Sequence, residues 1–490
     1  MRILLPLLAA GSFVFAGFWE TEALIDSGPV SAFAATADSA GVIWVAAASP
    51  DSTVRLYRSG DFGSTWQDRE TLRVGSAVRQ VELLSGQGDS SFLFVFLLAE
   101  QNGGDLWLAR VTPDSGDFTL APVAVGADTI DDFSVALDRD DHYYLYCLSA
   151  NEHRTGRTGA FTRSLDYGIS WEAGTDWWNA WDPCVSYTNG STVHCAWRYA
   201  LNGGEIHYSF NRHYALSGHW STYRLVSNRL AGQCFDPTLA QADTSPESEA
   251  AVWVFYTAGR RDTAVLDLEY SASSDGGSSW NPGLPFGSSF RDEQQPHLAA
   301  DISGQSGYVS LCYGSGDRSR GDTVSAWWTC ANPFDLDGWL EPVRVSRFAL
   351  ADLEPRLIYI PHAPLRLPGV FYSQQTEVGP LGVRFSAPWL YSARNPGAKT
   401  SGPAPFLWPN PATGTVLVTA VVTRPGVYSL ALYDATGRLV SSGLQRHFEA
   451  GLLSWAWDRT SFAGGRIPAG TFFLRLAGPG TCITRRLVLL

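Results

Sequence analysis

Acidic and amide side chains recur in one setting along this chain. Asp182-Pro183-Cys184-Val185, Asp236-Pro237-Thr238-Leu239, Gln295-Pro296-His297-Leu298 and Glu354-Pro355-Arg356-Leu357 each set an acid or amide before a proline, a variable residue and an aliphatic one. Asp132-Phe133-Ser134-Val135 fits without the proline, and Val78-Arg79-Gln80-Val81 and Pro29-Val30-Ser31-Ala32 are fainter versions. Brought together, Asp132, Asp182, Asp236 and Glu354 would ligate a cation or supply the acid and base of a glycosidase. Arg79 and Arg356 would stand among them as guanidinium groups for an anionic ligand. The competing reading of each Asp is a cap, bonding backbone N–H groups of a neighbouring strand. Trp177, Trp178 and Trp181 precede Asp182 closely and are hard to bury together, which makes them candidates for stacking on a ligand; packing between structural units is the alternative. The chain shows no nucleophile elbow, no paired histidines at metal spacing and no phosphate-binding glycine loop, and no metal or cofactor is expected. His142, His194 and His297 fall in or beside strand segments and read as structural.

The elements that must position these residues are short strands. The openers begin near 30, 79, 132, 183, 237, 296 and 355. Each is followed by an aromatic-rich partner such as Tyr143 to Tyr146, Val193 to Trp197 or Ala251 to Tyr256. Units of roughly fifty to sixty residues with four short strands apiece predict a β-propeller, with seven blades as the count and six as the alternative. The innermost strands of a propeller converge on a central channel, so the openers are placed at its mouth.

An octet recurs within this pattern. Ser59-Gly60-Asp61-Phe62-Gly63-Ser64-Thr65-Trp66 is matched position for position by Ser164 to Trp171 and by Ser273 to Trp280. Asp61, Asp166 and Asp275 can accept backbone N–H bonds, Gly63, Gly168 and Gly277 supply positive φ, and Trp66, Trp171 and Trp280 anchor a hairpin turn. The pattern S-x-D-x-G-x-[ST]-W resembles the Asp-box, or bacterial neuraminidase repeat, of sialidase-like propellers. That resemblance implies structural boxes on the outer rim, away from the ligand. It also raises the sialidase question, since those enzymes clamp a carboxylate with three arginines and use a Tyr nucleophile activated by a Glu. Their first arginine belongs to an Arg-Ile-Pro motif on the first inner strand. Here Arg466-Ile467-Pro468 lies near the C-terminus and reads as a chance match, and Pro29 to Phe33 contains no arginine. Substitutes from Arg79, Arg198, Arg260, Arg261, Arg291 and Arg356, with Tyr256 or Tyr372 as nucleophile, are not selected by any spacing.

Composition narrows the partners. With 45% hydrophobic and 17% charged residues the chain can bury a large core, and a net charge of −13 argues against nucleic acid or an anionic membrane surface. Arg2 followed by Ile3 to Phe15, with Val14 and Ala16 at the cleavage positions, reads as a signal peptide over 1–16, and no transmembrane helix is expected in the mature chain. A propeller over 17–394 is then followed by a Pro/Gly-rich linker over 395–405 and a small immunoglobulin-like sandwich over 406–490. Pro409-Asn410-Pro411, Asp434-Ala435-Thr436-Gly437-Arg438, Trp457-Asp458, Gly470-Thr471-Phe472-Phe473 and Arg485 to Leu490 resemble the C-terminal sorting domain of type IX secretion cargo. The resemblance implies outer-membrane secretion machinery as a partner and display on, or release from, the surface of a Gram-negative-type cell. Asn189-Gly190, read as a two-residue hairpin turn, sets Cys184 opposite Cys195 as a disulfide or as two buried thiols. The reading is a secreted or cell-surface propeller that binds carbohydrate or an extracellular protein without catalysis. An exo-acting glycoside hydrolase of the sialidase type is the alternative.

Overall fold

Runs of β-branched and aromatic residues punctuated by Gly, Asp and Ser favour strands and tight turns, and every regular element among the described residues is a β-strand. The computed structural model describes most of residues 22–489, without 1–21, 388–405 and several loops, among them 139–143, 242–249, 301–308 and 347–354. The chain forms two units, one ending at Leu390 and the other running from Tyr391 to Leu490.

The described residues of the first unit form seven four-stranded antiparallel sheets. Sheets 1 to 6 open on Ala32–Ala37, Val78–Ser85, Thr129–Leu137, Ala180–Tyr187, Gln233–Gln241 and Asp292–Ala300, and each is a meander of four consecutive strands. Sheet 7 is built from Arg356–Ile358, Gly369–Thr376 and Gly379–Ser386, and takes the N-terminal strand Glu22–Pro29 as its fourth. The first strands neighbour one another in cyclic order, with the seventh against the first, so the sheets close into a β-propeller. Each opener lies in or beside one of these first strands. The faintest, Pro29 to Ala32, straddles two sheets: Pro29 ends the strand that completes sheet 7, and Ala32 begins sheet 1.

Pro355 stands just before its strand, Arg356–Ile358, but Pro183, Pro237 and Pro296 lie inside theirs. Asp182, Asp236 and Gln295 adopt left-handed φ of 44°, 50° and 56°, and the pairing register slips around each Xaa-Pro step, between Trp181 and Cys184, Phe235 and Thr238, and Gln294 and His297. These three prolines therefore sit in β-bulges, the other place in a strand where a missing N–H is tolerated.

Side chains from the first strands latch sheet to sheet around the ring. Ser31 Oγ donates to Val78 O at 2.7 Å, and Gln80 bonds both backbone groups of Phe133. Ser134 Oγ accepts from Val185 N at 3.0 Å, Asp182 Oδ2 from Asp236 N at 3.4 Å, Thr238 Oγ1 from Leu298 N at 3.0 Å, and His297 Nδ1 from Leu357 N at 3.4 Å. Sheet 7 is tied to sheet 1 by Asp26, which pairs with Arg55 at 2.8 Å.

The octets close the turn between third and fourth strands of sheets 1, 3 and 5 with one geometry. Asp166 accepts from Ser164 Oγ and Ser170 N at 2.8 Å and from Ser170 Oγ at 2.6 Å, while Gly168 N donates to Ser164 Oγ at 2.8 Å; Asp61 and Asp275 repeat these bonds. Burial raises each of these carboxyls, but the hydrogen bonds from Ser and Thr outweigh it and hold all three below the usual range. Positive φ is needed twice per turn, at Phe62, Tyr167 and Gly276 as well as at the glycines that follow. Each Trp reaches the preceding sheet: Trp66 meets Phe385, Trp171 meets Phe96 and Trp280 meets Tyr208. In sheets 4 and 6, whose sequences lack the octet, Trp220 on Phe161 and Trp339 on Phe255 make the same contact with the preceding sheet.

Cys184 and Cys195 are not cross-strand partners. The register pairs Val185 with Cys195 and Cys184 with Ala196, and the two sulfurs are not joined in a disulfide. A one-residue shift turns two side chains to opposite faces of a strand pair.

In the second unit, strands Phe406–Trp408, Val416–Val422 and Gly451–Trp457 form one sheet, and Leu439–Phe448, Gly426–Asp434, Gly470–Gly478 and Thr481–Leu489 another. Val416 of the first shares a core with Tyr428, Leu430, Leu432, Leu474 and Leu487 of the second. Ile467 is buried in this core, far in sequence from any first strand of the propeller.

Candidate functional site

The first strands enclose a cavity of about 320 Å³ lined by every sheet of the ring, with Thr36, Glu82, Asp132, Asp182, Asp236, His297 and Arg356 as one representative from each. Of the residues the sequence singles out, Asp132, Asp182, Asp236 and Arg356 are thus brought to one cavity. Arg79 does not line it. Strand alternation turns Gln80, Glu82 and Leu84 to the channel, while Arg79 donates to Ile130 O and lies 3.8 Å from Asp131, bracing sheet 2 against sheet 3. His142, Glu354, Arg260, Arg261 and Arg291 lie outside the described residues.

The charges in the cavity are coupled to one another. Arg356 Nη2 is 2.9 Å from Glu82 Oε1, an ion pair that passes over sheet 1, whose first strand is Ala-Phe-Ala-Ala-Thr-Ala. Asp182 Oδ2 is 2.9 Å from Arg198 Nε and also caps Asp236 N. Asp132 Oδ1 accepts from Phe133 N at 2.7 Å. Burial, and then the Arg356 charge, push the His297 imidazole down to about 3, so it stays neutral and accepts from Leu357 N. Among the described residues no three His, Cys, Asp or Glu side chains are grouped to hold a metal ion.

Next in sequence to the cavity-lining Asp182 and Asp236, Trp181 and Phe235 form an aromatic rim on sheets 4 and 5. The Arg198 guanidinium lies 4.6 Å from the Trp181 ring centroid and 5.1 Å from that of Phe235. Stacking and the Asp182 ion pair together fix the arginine in one orientation. In a four-stranded meander the first strand starts on the face opposite the turn from third to fourth strand, so this rim and the octets occupy opposite faces of the ring. Trp177 is elsewhere: it stacks on Trp197 at 4.8 Å and meets Trp220 edge-on at 5.0 Å, packing sheet 3 against sheet 4. The Trp178 side chain lies outside the described residues.

Tyr256 and Tyr372 do not reach the channel. Both are fully buried, with Tyr256 donating to Glu269 at 3.1 Å and Tyr372 to Glu22. Burial, then the Glu269 charge, raise the Tyr256 phenol far above its usual range. A buried, hard-to-ionise phenol is a core hydrogen-bond donor, not an open nucleophile.

Two groups of residues were missed from the sequence. Glu82 was available from strand alternation, being two residues beyond Gln80. The stack of Tyr199, His207 and Tyr223 on sheet 4 was not, because its rings come from two strands and the segment leading into a third, whose register no local pattern gives.

No family model matches the chain, and no curated protein matches it. Among solved structures it is similar to the BP39L lectin from Burkholderia pseudomallei, at 13% identity and a TM-score of 0.54 over 74% of this chain and 99% of that one. It is also similar to a PL25 ulvan lyase, at 11% identity and a TM-score of 0.48 over 74% of this chain and 95% of that one. A third is the Aleuria aurantia lectin, at 12% identity and a TM-score of 0.42 over 65% of this chain and 97% of that one. At 13% identity the likeness to the BP39L lectin is one of fold alone.

Proposed function

We propose that this protein is an exported, carbohydrate-binding propeller that does not catalyse, and that its ligand docks at the opener-end mouth beside Trp181, Asp182 and Arg198. The observation that carries the reading is the state of the charged groups there. Arg356 is paired with Glu82, Arg198 with Asp182, and Asp132 and Asp182 cap backbone N–H groups, while the tyrosines with glutamate partners are buried. A hydrolase needs two carboxyls flanking the scissile bond, or an accessible nucleophile with its base. A fixed guanidinium and carboxylate beside an indole suit recognition of sugar hydroxyls and of the apolar face of a sugar ring.

The test is a glycan array run with purified propeller, beside hydrolysis of a fluorogenic sialoside and a panel of aryl glycosides. Binding without turnover is expected, and Trp181→Ala should weaken it about tenfold, or roughly 1.4 kcal/mol. Turnover that disappears on changing one channel residue would replace this reading with an exo-acting hydrolase.

Residues 1–16 are proposed as the export signal and 406–490 as a sorting module, on the strength of the motifs given above. Deleting 406–490 should then leave the protein in the periplasm of its host. Unchanged surface display or release of the truncated chain would sink the sorting role.

A further inference from the structure

Sheet 4 carries an aromatic ladder that neither the channel nor the core requires in full. Tyr199 and His207, from the second and third strands, and Tyr223, just before the fourth, stack with centroids 4.6 and 5.0 Å apart and planes within 9° and 6° of parallel. Trp197 braces His207 edge-on at 6.0 Å, and Trp177 of sheet 3 stacks on Trp197. Glu205 Oε2 lies 3.4 Å from His207 Nε2, which fixes the imidazole from its other edge. The middle ring, His207, is 6% exposed and Tyr199 on its inner side is half-buried, but the ladder ends in Tyr223 at 63%. Among the described Phe, Tyr and Trp side chains Tyr223 is the most exposed. Its orientation is set from below by two stacked rings, so one flat face is presented to solvent with little freedom to turn.

A single flat ring at the surface recognises a flat apolar face and encloses nothing. A pyranose ring offers such a face, and a platform that encloses nothing suits one unit of a chain more than a lone sugar. The ladder and the mouth belong to one sheet. Trp181 is on its first strand and Tyr223 adjoins its fourth, Arg224–Leu225. Three inter-strand spacings separate them, about 14 Å. Trp181 is paired with Arg198 and Arg198 with Ile206, one residue from His207, so both features lie at a similar level along the strands.

We propose that Tyr223 is a second saccharide subsite, taking a sugar ring of a polysaccharide chain whose other end occupies the channel mouth. This rests on the carbohydrate-binding reading and extends it, because it makes the ligand a chain several sugars long. Two linked contacts raise affinity only for ligands that span both.

The probes are cello-, chito- and laminari-oligosaccharides of two and six sugars, titrated calorimetrically into the full chain and into Tyr223→Ala and Tyr223→Trp. For the series that binds, the hexamer is expected to bind at least tenfold tighter than the dimer. Tyr223→Ala should remove that advantage while leaving the dimer unchanged, and Tyr223→Trp should keep it. A hexamer advantage that survives Tyr223→Ala, no hexamer advantage at all, or equal loss for dimer and hexamer, overturns the subsite while leaving carbohydrate binding in place. If none of the oligosaccharides binds, the carbohydrate reading and the subsite fall together.

Discussion

Replacing Asp26 with alanine is expected to destabilise the propeller by about 3 kcal/mol, the low end for breaking a buried pair because Arg55 keeps some contact with water. Asp26 is 2% exposed and lies on the N-terminal strand that completes sheet 7. Its carboxylate accepts from Gly28 N at 2.7 Å and pairs with Arg55 of sheet 1 at 2.8 Å. Burial, and then the Asp26 charge, hold the neighbouring Tyr57 phenol well above its usual range, so Tyr57 remains a neutral donor beside it. Glu22–Pro29 continues within two residues into the first strand of sheet 1, but it is held to the rest of sheet 7 only by strand pairing and side chains, so non-covalent contacts carry more of the ring closure here than at the other sheets. Urea denaturation followed by tryptophan fluorescence would show a lower midpoint for Asp26→Ala, with Asp26→Asn intermediate because it keeps an acceptor for Gly28. A double-mutant cycle with Arg55→Met should return a coupling of about 2 kcal/mol. Coupling near zero would mean that Asp26 acts through Gly28 alone.

The joint also marks the limit of what the sequence discloses. The openers were legible because a proline must sit where no ladder hydrogen bond is needed, and Asp182, Asp236 and Gln295 each precede one. That rule allows a strand start or a bulge, and only the register separates the two. The octets were legible because Asp, Gly and Ser at fixed offsets have one good way to satisfy a tight turn. Arg79 was misplaced and Glu82 overlooked for a single reason: alternation along the second first strand, followed from Gln80, turns Glu82 inward and Arg79 away. The Cys184 error has the same root. Asn189-Gly190 supports a two-residue turn, but the strands pair Tyr187 with Val193, and the odd count moves Cys184 to the opposite face from Cys195. Trp177 was a fair candidate by composition, and its partner Trp197 could not be named without knowing how sheets 3 and 4 pack. Local chemistry was therefore readable, whereas contacts between sheets were not.

Those contacts make the octet glycines the second sensitive point. Gly277→Ala is expected to lower stability by roughly 2–5 kcal/mol, combining about 1–2 for a left-handed alanine with about 1–3 for overpacking. Gly277 has φ of 83°, and a Cβ there would lie 2.6 Å from Tyr208 Cε1 in the sheet before it. Tyr208 cannot yield, since it is fully buried and its hydroxyl is bonded to His194. Gly168 and Gly63 stand in the same relation to Leu108 and Phe385, again on the preceding sheet. The glycine is thus required by its dihedral angle and by the neighbouring sheet together, which explains why the octet keeps it while other positions vary from Phe62 to Tyr167 to Gly276. Gly60 separates these causes from any general effect of losing a glycine. It lies in the same octet with no atom within 4 Å of where a Cβ would stand, and Gly60→Ala should change stability by less than about 0.5 kcal/mol. Thermal melts of Gly60→Ala and Gly277→Ala, with Tyr208→Phe combined with the latter, would decide the matter. If Gly277→Ala melts with the wild type, the turns do not staple sheet to sheet. If removing the Tyr208 hydroxyl recovers part of the loss, the close approach contributes alongside the backbone angle.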